Sequence, residues 1–288
     1  MSTKTQLIKE LRNRTGAGVL DCREAILNSG SDIEKSIIWL RKKGLASVHR
    51  KAIRDAREGV ISIVHDNYSA TIIELNSETD FVSKNKKFLD LADFIVKRGH
   101  RFYNNNLKQF LASYNDDSIS IQQHIDQHIA LFGENIVLKK VHKLHVHDKG
   151  KIISYLHQKL SHNAGKIGVL VALEGDINNE IEQFGKNVAM HIAALKPLGL
   201  SIESIDKVIV NNEKTILTEQ VLRSKKNSNI IEKVISGKMK KFFDQVVLLE
   251  QKFVIDGKTK VNEAIRDLQL KHNCVFNISG YVRYEAGI

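Results

Sequence analysis

Gly59-Val60-Ile61-Ser62-Ile63-Val64-His65-Asp66-Asn67-Tyr68-Ser69-Ala70-Thr71-Ile72-Ile73-Glu74-Leu75 is the stretch from which the fold is read. At Gly59 the hydrophobic period becomes two. Residues 60–64 predict a strand, 65–68 a turn and 70–75 the partner strand. A polar loop follows at 76–82, then a helix with Phe88, Leu91, Ala92, Phe94 and Ile95 apolar. The same order returns downstream. Residues 152–156 and 167–173 predict strands, Glu174-Gly175-Asp176 a loop, and 177–194 a helix carrying Ile181, Phe184, Val188 and Ile192. A hairpin, loop and helix used twice predicts an α+β chain. Its core has two related halves, each a small antiparallel sheet with covering helices.

Upstream, residues 1–48 predict a three-helix module. Helices are expected at 5–14, 19–28 and 32–43, with Leu7, Ile8, Leu11, Cys22, Ala25, Ile26, Ile37 and Leu40 inside. Ser31 with Glu34 makes a capping-box pattern, and Gly44 supplies a C-cap. Residues 49–57 are a basic linker, either a solvated connector or a contact arm for an acidic surface. The core then divides into 58–147 on one side and 148–197 with 238–280 on the other. Residues 136–145 are expected as a strand. Residues 198–237 carry Ile202, Ile205, Val208, Ile216, Val221, Ile230 and Val234 at helical spacing, around a loop at 225–229. They predict a protruding antiparallel helical hairpin. Beyond Gly237 come a strand at 246–249, a helix at 261–272, a strand at 275–284 and a short tail, 281–288.

The 288 residues carry a net charge of +11, with 42% hydrophobic and 27% charged residues. The basic residues spread along the whole chain rather than forming a patch. They leave RNA binding as an alternative but predict no specific nucleic-acid site. No stretch is long and apolar enough for a membrane span, and the N-terminus lacks the apolar segment of a signal peptide. Both features place the protein in the cytoplasm, away from membranes. The two cysteines, Cys22 and Cys274, form no CxxC pair and are expected reduced.

No catalytic constellation emerges. Phosphate-binding, dinucleotide-binding and nucleophile-elbow motifs are all missing, so no residue can be named as catalytic and no cofactor is implied. Of the twelve histidines, His124 and His128 stand i, i+4 on a helix, and His142, His145 and His147 cluster on a strand. On that strand 145 and 147 share a face and 142 does not, so packed or solvated histidines are expected rather than a metal site.

The unusual segment is Glu74-Leu75-Asn76-Ser77-Glu78-Thr79-Asp80-Phe81-Val82-Ser83-Lys84. It allows two readings. Thr79 or Asp80 caps the next helix and Phe81 staples onto it. Alternatively, Phe81 projects as an aromatic wedge with Asp80 beside it, in the manner of an interface hot spot. A cap that fixes the loop would serve both.

This segment, with its Thr-Asp-Phe-Val core, resembles the signature of the translation elongation factor Ts family. A second match lies upstream, Leu11-Arg12-Asn13-Arg14-Thr15-Gly16-Ala17-Gly18-Val19-Leu20-Asp21-Cys22-Arg23-Glu24-Ala25. Further likeness covers Gly133-Glu134-Asn135-Ile136, Ile167-Gly168-Val169-Leu170-Val171, and His191-Ile192-Ala193-Ala194 with Lys196-Pro197. The resemblance implies an N-terminal module like a ubiquitin-associated domain. It also implies a nucleotide exchange factor, not an enzyme, acting on the GTPase elongation factor Tu. Thr79, Asp80, Phe81 and Val82 would dislodge the magnesium of the GDP form. Arg12, Arg23, Lys51, Phe132, Gly133, His157, Val254 and Ile255 would contact the GTPase. The hairpin 198–237 would be a dimerisation element.

The sequence departs from the family pattern in places. Arg23 stands where Lys is usual, and Lys252 where a proline often precedes Phe253-Val254. Residues 158–163 look inserted. The contact histidine is therefore His157 or His162, of which His157 keeps the Tyr-x-His spacing. A C-terminal helical module is expected to be absent or minimal.

Overall fold

In the computed structural model, residues 4–15, 17–51, 53–102, 106–114, 118–147, 149–223 and 228–288 are described, with side chains for all but 44–50, 223 and 228–230. The N-terminal helices α1 (Lys4–Thr15), α2 (Val19–Asn28) and α3 (Ile33–Lys51) close around Leu11, Cys22, Ala25, Ile26 and Leu40. Two local expectations fail here. The capping box on Ser31 is replaced by Asp32, whose Oδ1 accepts the Lys35 amide at 3.0 Å, while Ser31 takes a left-handed φ of 66°. Gly44 does not end α3, which runs on to Lys51 and takes in the start of the basic segment. A glycine inside a helix costs about 1 kcal/mol. Packing of α3 along a core helix is enough to outweigh that.

The core elements follow in order: β1 (Glu58–His65), β2 (Ser69–Ser77), α4 (Asp80–Ser83), α5 (Lys86–Phe102), α6 (Leu107–Ala112), α7 (Ile121–Phe132), β3 (Ile136–His145), β4 (Gly150–Lys159), β5 (Ala164–Gly175), α8 (Asn179–Leu195), α9 (Lys207–Arg223), α10 (Ser228–Val246), α11 (Val261–His272) and β6 (Phe276–Glu285). The hairpin from which the fold was read forms with Val60 opposite Leu75 and Ile63 opposite Ile72. The chain is α+β, but the two halves do not keep separate small sheets. They share one six-stranded sheet, ordered β3-β2-β1-β5-β4 with β6 on β5. The joint is short: Ile61 pairs with Gly165 and Ser62 with Ala164. Beyond it, the same edge of β5 pairs with β6, while β4 runs along the other edge.

Alternation along the strands divides the side chains between two surfaces. Val60, Ile73 and Leu75 face α5 and α7, in a cluster with Phe88, Leu91 and Ile125. Val169, Val171 and Leu173 face α8 and α11. The alternate positions Ile61, Ile63, Ile72, Ile152, Leu170 and Ala172 form a third cluster, on which the curled sheet closes upon itself. Gly168 permits that closure. A Cβ there would run into Ile61 Cγ2 and crowd Ile72 and Ile63.

Helices α9 and α10 pack on each other as an antiparallel pair, burying Leu217, Val221 and Met239. The helices are displaced from the expected span. α9 begins at Lys207, after a 3-10 turn at Ile202–Ser204, and α10 runs through Gly237 to Val246. Of the expected loop 225–229, residues 225–227 lie outside the described residues and 228–229 belong to α10. The strand expected at 246–249 does not form. Val247 makes one parallel bridge to Gly199, and Leu248–Glu250 turns instead into a 3-10 helix, in which the Glu250 and Gln251 amides donate back to the Val247 and Leu248 carbonyls.

Candidate functional site

Residues 76–84 leave the end of β2 and enter α4, a single helical turn. Four residues of helix have almost no intrinsic stability. Here they are held from behind. The Glu134 carboxylate accepts two hydrogen bonds from Thr79, one from the backbone N–H at 3.0 Å and one from Oγ1 at 2.7 Å. In return, Glu78 Oε1 accepts the Asn135 N–H at 2.7 Å. Segments more than fifty residues apart are thereby laced together in both directions. The linker joins the same knot. Asn135 Nδ2 donates to the Arg54 carbonyl at 2.7 Å, Asn76 Nδ2 to the Ala56 carbonyl at 3.2 Å, and Arg54 Nη1 lies 3.6 Å from Glu78.

The expected cap is not what fixes the loop. Thr79 is the N-cap residue of α4 but caps nothing with its side chain, because its hydroxyl donates to Glu134 instead. Phe81 does not staple back. It stands 84% exposed, whereas its neighbour Val82 is buried in the core cluster beneath β1 and β2. One helical turn thus plants Val82 inward and presents Phe81 outward. Asp80 Oδ2 accepts from Lys84 Nζ at 2.7 Å. The Lys84 ammonium holds the Asp80 carboxyl below the usual carboxylate range, so Asp80 is charged at neutral pH.

At the foot of this turn lies a polar cleft of about 590 Å³. Asp80, Lys84, Arg57, Lys166 and His157 line it, with Lys166 paired to Glu58 at 2.8 Å. The structure therefore brings Asp80 and His157 to one cleft. His157 Nδ1 lies 3.1 Å from Tyr155 Oη. Residues 158–163 extend the β4–β5 hairpin, and His162 sits on its turn beside Asn163.

Lys51, Phe132 and Gly133 meet at a second groove, with Asp21 and Lys43 opposite. Gly133 ends α7 at a φ of 78°, a left-handed conformation that suits glycine. That turn points Glu134 and Asn135 at the 78–79 segment. Arg12 and Arg23 are exposed on the N-terminal module, where Arg23 shares the outer face of α2 with exposed Val19, Leu20 and Leu27. Val254 and Ile255 are also exposed, on a loop anchored by the buried His191. His191 Nδ1 accepts the Val254 N–H at 3.2 Å and Nε2 faces Gln251 Oε1 at 2.9 Å. This geometry needs the neutral Nε2–H tautomer, and burial pushes the imidazole pKa down accordingly. Among the described residues, no hydrogen bond or ion pair joins Arg12, Arg23, Val254 or Ile255 to residues 78–82.

Sequence reasoning placed Glu78 in the working segment but did not single out Glu134 or Asn135 as working residues. The available signal was the quoted Gly133-Glu134-Asn135 motif, a helix stop followed at once by two hydrogen-bonding side chains. Of the histidines weighed as metal ligands, His124 and His128 are packed, whereas His142, His145 and His147 are exposed. His124 and His128 stack on α7 between Phe94 and Phe132, with ring centroids 4.5, 5.1 and 6.3 Å apart. Burial lowers the His128 pKa. His145 and His147 meet edge to face at 4.6 Å. Among the described residues no group of three His, Cys, Asp or Glu side chains is placed to hold a metal ion. Nor is any described helix long and apolar enough to cross a membrane.

Comparison with known proteins assigns this arrangement to a family. The family model described as Elongation factor TS matches residues 78–288, beginning at the laced loop. The chain is 39% identical to Elongation factor Ts of Bartonella quintana (strain Toulouse) over 288 residues, covering all of this chain and 94% of that protein. It is 38% identical over 282 residues to Elongation factor Ts of Ehrlichia canis (strain Jake), covering 98% of each. Two relatives matched nearly end to end, and a family model matching residues 78–288, agree: the chain belongs to the elongation factor Ts family.

Proposed function

We propose that this protein is a cytoplasmic nucleotide exchange factor for the GTPase elongation factor Tu. It binds the GDP form, its 79–82 turn dislodges magnesium, GDP leaves, and the factor stays until GTP enters. Thr79, Asp80, Phe81 and Val82 form the dislodging element. Arg12, Arg23, Lys51, Phe132, Gly133, His157, Val254 and Ile255 supply further contacts. The 198–237 region, with its helical pair, is the surface for self-association. The observation that carries the reading is Phe81, 84% exposed on a turn fixed from behind, in a chain of this family.

The role needs no bond-making chemistry. A partner that prefers the nucleotide-free GTPase must weaken nucleotide by the same factor. Displacing magnesium removes the largest counter-charge near the phosphates. A ring planted on a stiff turn can hold a distorted partner where a mobile ring could not. Release of labelled GDP from elongation factor Tu, with and without the protein, tests the reading. Acceleration that saturates with the factor is expected; an unchanged release rate at high concentration rejects it.

A further inference from the structure

We infer that Glu134 is the positioning residue of the exchange turn, setting where Asp80 and Phe81 stand without touching the partner itself. The inference rests on the exchange reading above. Three features on the molecule support it. First, Glu134 grips the residue immediately before Asp80 through both its backbone and its side chain, at 3.0 and 2.7 Å. Two bonds from one carboxylate fix position and orientation together, and charge-assisted bonds are roughly twice as strong as neutral ones. Second, the grip replaces a local cap. Thr79 could have used its hydroxyl to satisfy an α4 amide, but it gives that hydroxyl to a residue 55 positions away. Third, Glu134 has a rigid base. It follows the left-handed stop of α7 at Gly133 and precedes Asn135, a buried residue that is bonded to both Glu78 and the Arg54 carbonyl. The turn therefore inherits its stiffness from α7 and from the linker.

A structural role alone would show as lost stability. A positioning role shows as a slower limiting rate in a folded protein. The full chain carrying Glu134→Ala is compared with wild type for the limiting GDP-release rate, the half-saturating concentration and the denaturant midpoint. The limiting rate should fall about 10-fold or more, as misplacing a working group by an ångström does. The half-saturating concentration, set by the broad interface, should change by less than about 3-fold. Glu134→Gln should recover most of the rate: its Oε1 can accept the Thr79 N–H while its Nε2 donates to the rotated Thr79 hydroxyl. Thr79→Val should slow exchange on its own and add little to Glu134→Ala, because both remove one interaction.

A wild-type limiting rate in folded Glu134→Ala overturns the proposal, as does a loss that Gln fails to restore. If Glu134→Ala does not fold, Thr79→Val decides, and an unchanged rate in that variant overturns the proposal equally. A readout independent of exchange separates this failure from failure of the functional reading. With 4-fluorophenylalanine at position 81, the fluorine resonance of Glu134→Ala should move toward that of the unfolded chain and narrow. A resonance unchanged by the substitution rejects the positioning role even if wild type proves inactive on elongation factor Tu.

Discussion

Phe81→Ala separates a working side chain from a structural one. Burying a whole phenylalanine is worth about 1.5–3 kcal/mol. In the free protein Phe81 remains 84% exposed, so less than a sixth of that value is realised in the fold. The substitution should leave the denaturant midpoint within about 0.5 kcal/mol of wild type, the usual range for surface changes. The exposed remainder is what a partner can gain by enclosing the ring. Taken as 84% of the transfer value, it amounts to about 1.3–2.5 kcal/mol, or roughly 10- to 70-fold in rate at about 1.4 kcal/mol per decade. The assay is stopped-flow release of labelled GDP from elongation factor Tu across a range of factor concentrations. Val82→Ala is the control on the same turn. Val82 is buried in the core, so its truncation should cost about 1–3 kcal/mol of stability. A loss of exchange below about 3-fold in Phe81→Ala would refute the wedge. So would a destabilisation as large as that of Val82→Ala, since it would mean Phe81 packs on its own protein.

Three further outcomes follow from other parts of the molecule. Gly168→Val should destabilise by about 1–3 kcal/mol or more, read from the denaturant midpoint, because its side chain would enter the space of Ile61, Ile63 and Ile72. His191→Phe should cost about 1–3 kcal/mol by leaving the Val254 N–H and Gln251 unmatched, with faster amide exchange in residues 251–255. Partial burial works to raise Asp66, but the amides of Tyr68 and Ser69, the Ser69 hydroxyl and His100 outweigh it and hold the carboxyl at about 2, below its ordinary 3.8. The unfolded chain then binds more protons, so this contribution is complete above pH 3.8 and is lost as pH falls toward 2. Asp66→Asn should flatten the acid limb of a stability–pH curve across that window.

Much of the fold was legible because the deciding signals were local. Period two over residues 60–75 specified the hairpin, and the helical period over 261–272 specified α11. What stayed hidden depended on partners distant in sequence. The joining of two half-sheets rests on two residue pairs between β1 and β5, with nothing in either strand to announce them. Gly44 and Gly237 are local stop signals, yet both lie inside helices, since packing outweighs a preference of about 1 kcal/mol. The site divides in the same way. Phe81 could be read from the loop as either staple or wedge, and only its exposure in the fold chose between them. The carboxylate that holds it could not be found by periodicity, because residues 78–79 and 134–135 are each ordinary until the fold brings them together.

The knot behind the turn also bears on how a wedge that works by binding alone, as the exchange reading has it, can act strongly. A wedge transmits binding energy only as far as its mounting resists displacement, and an isolated four-residue helix resists almost none. Enlarging the helix would stiffen it but would also widen the element that must enter a partner. The chain instead keeps the turn short and draws its rigidity from outside. Val82 anchors one side in the hydrophobic cluster, Glu134 holds the entering backbone, and Glu78 ties the platform back to Asn135. The linker from the N-terminal module enters the same network through the Arg54 and Ala56 carbonyls. The turn and the linker that leads to the N-terminal helices are therefore braced by one set of hydrogen bonds, so a displacement of Phe81 has to work against all of them at once.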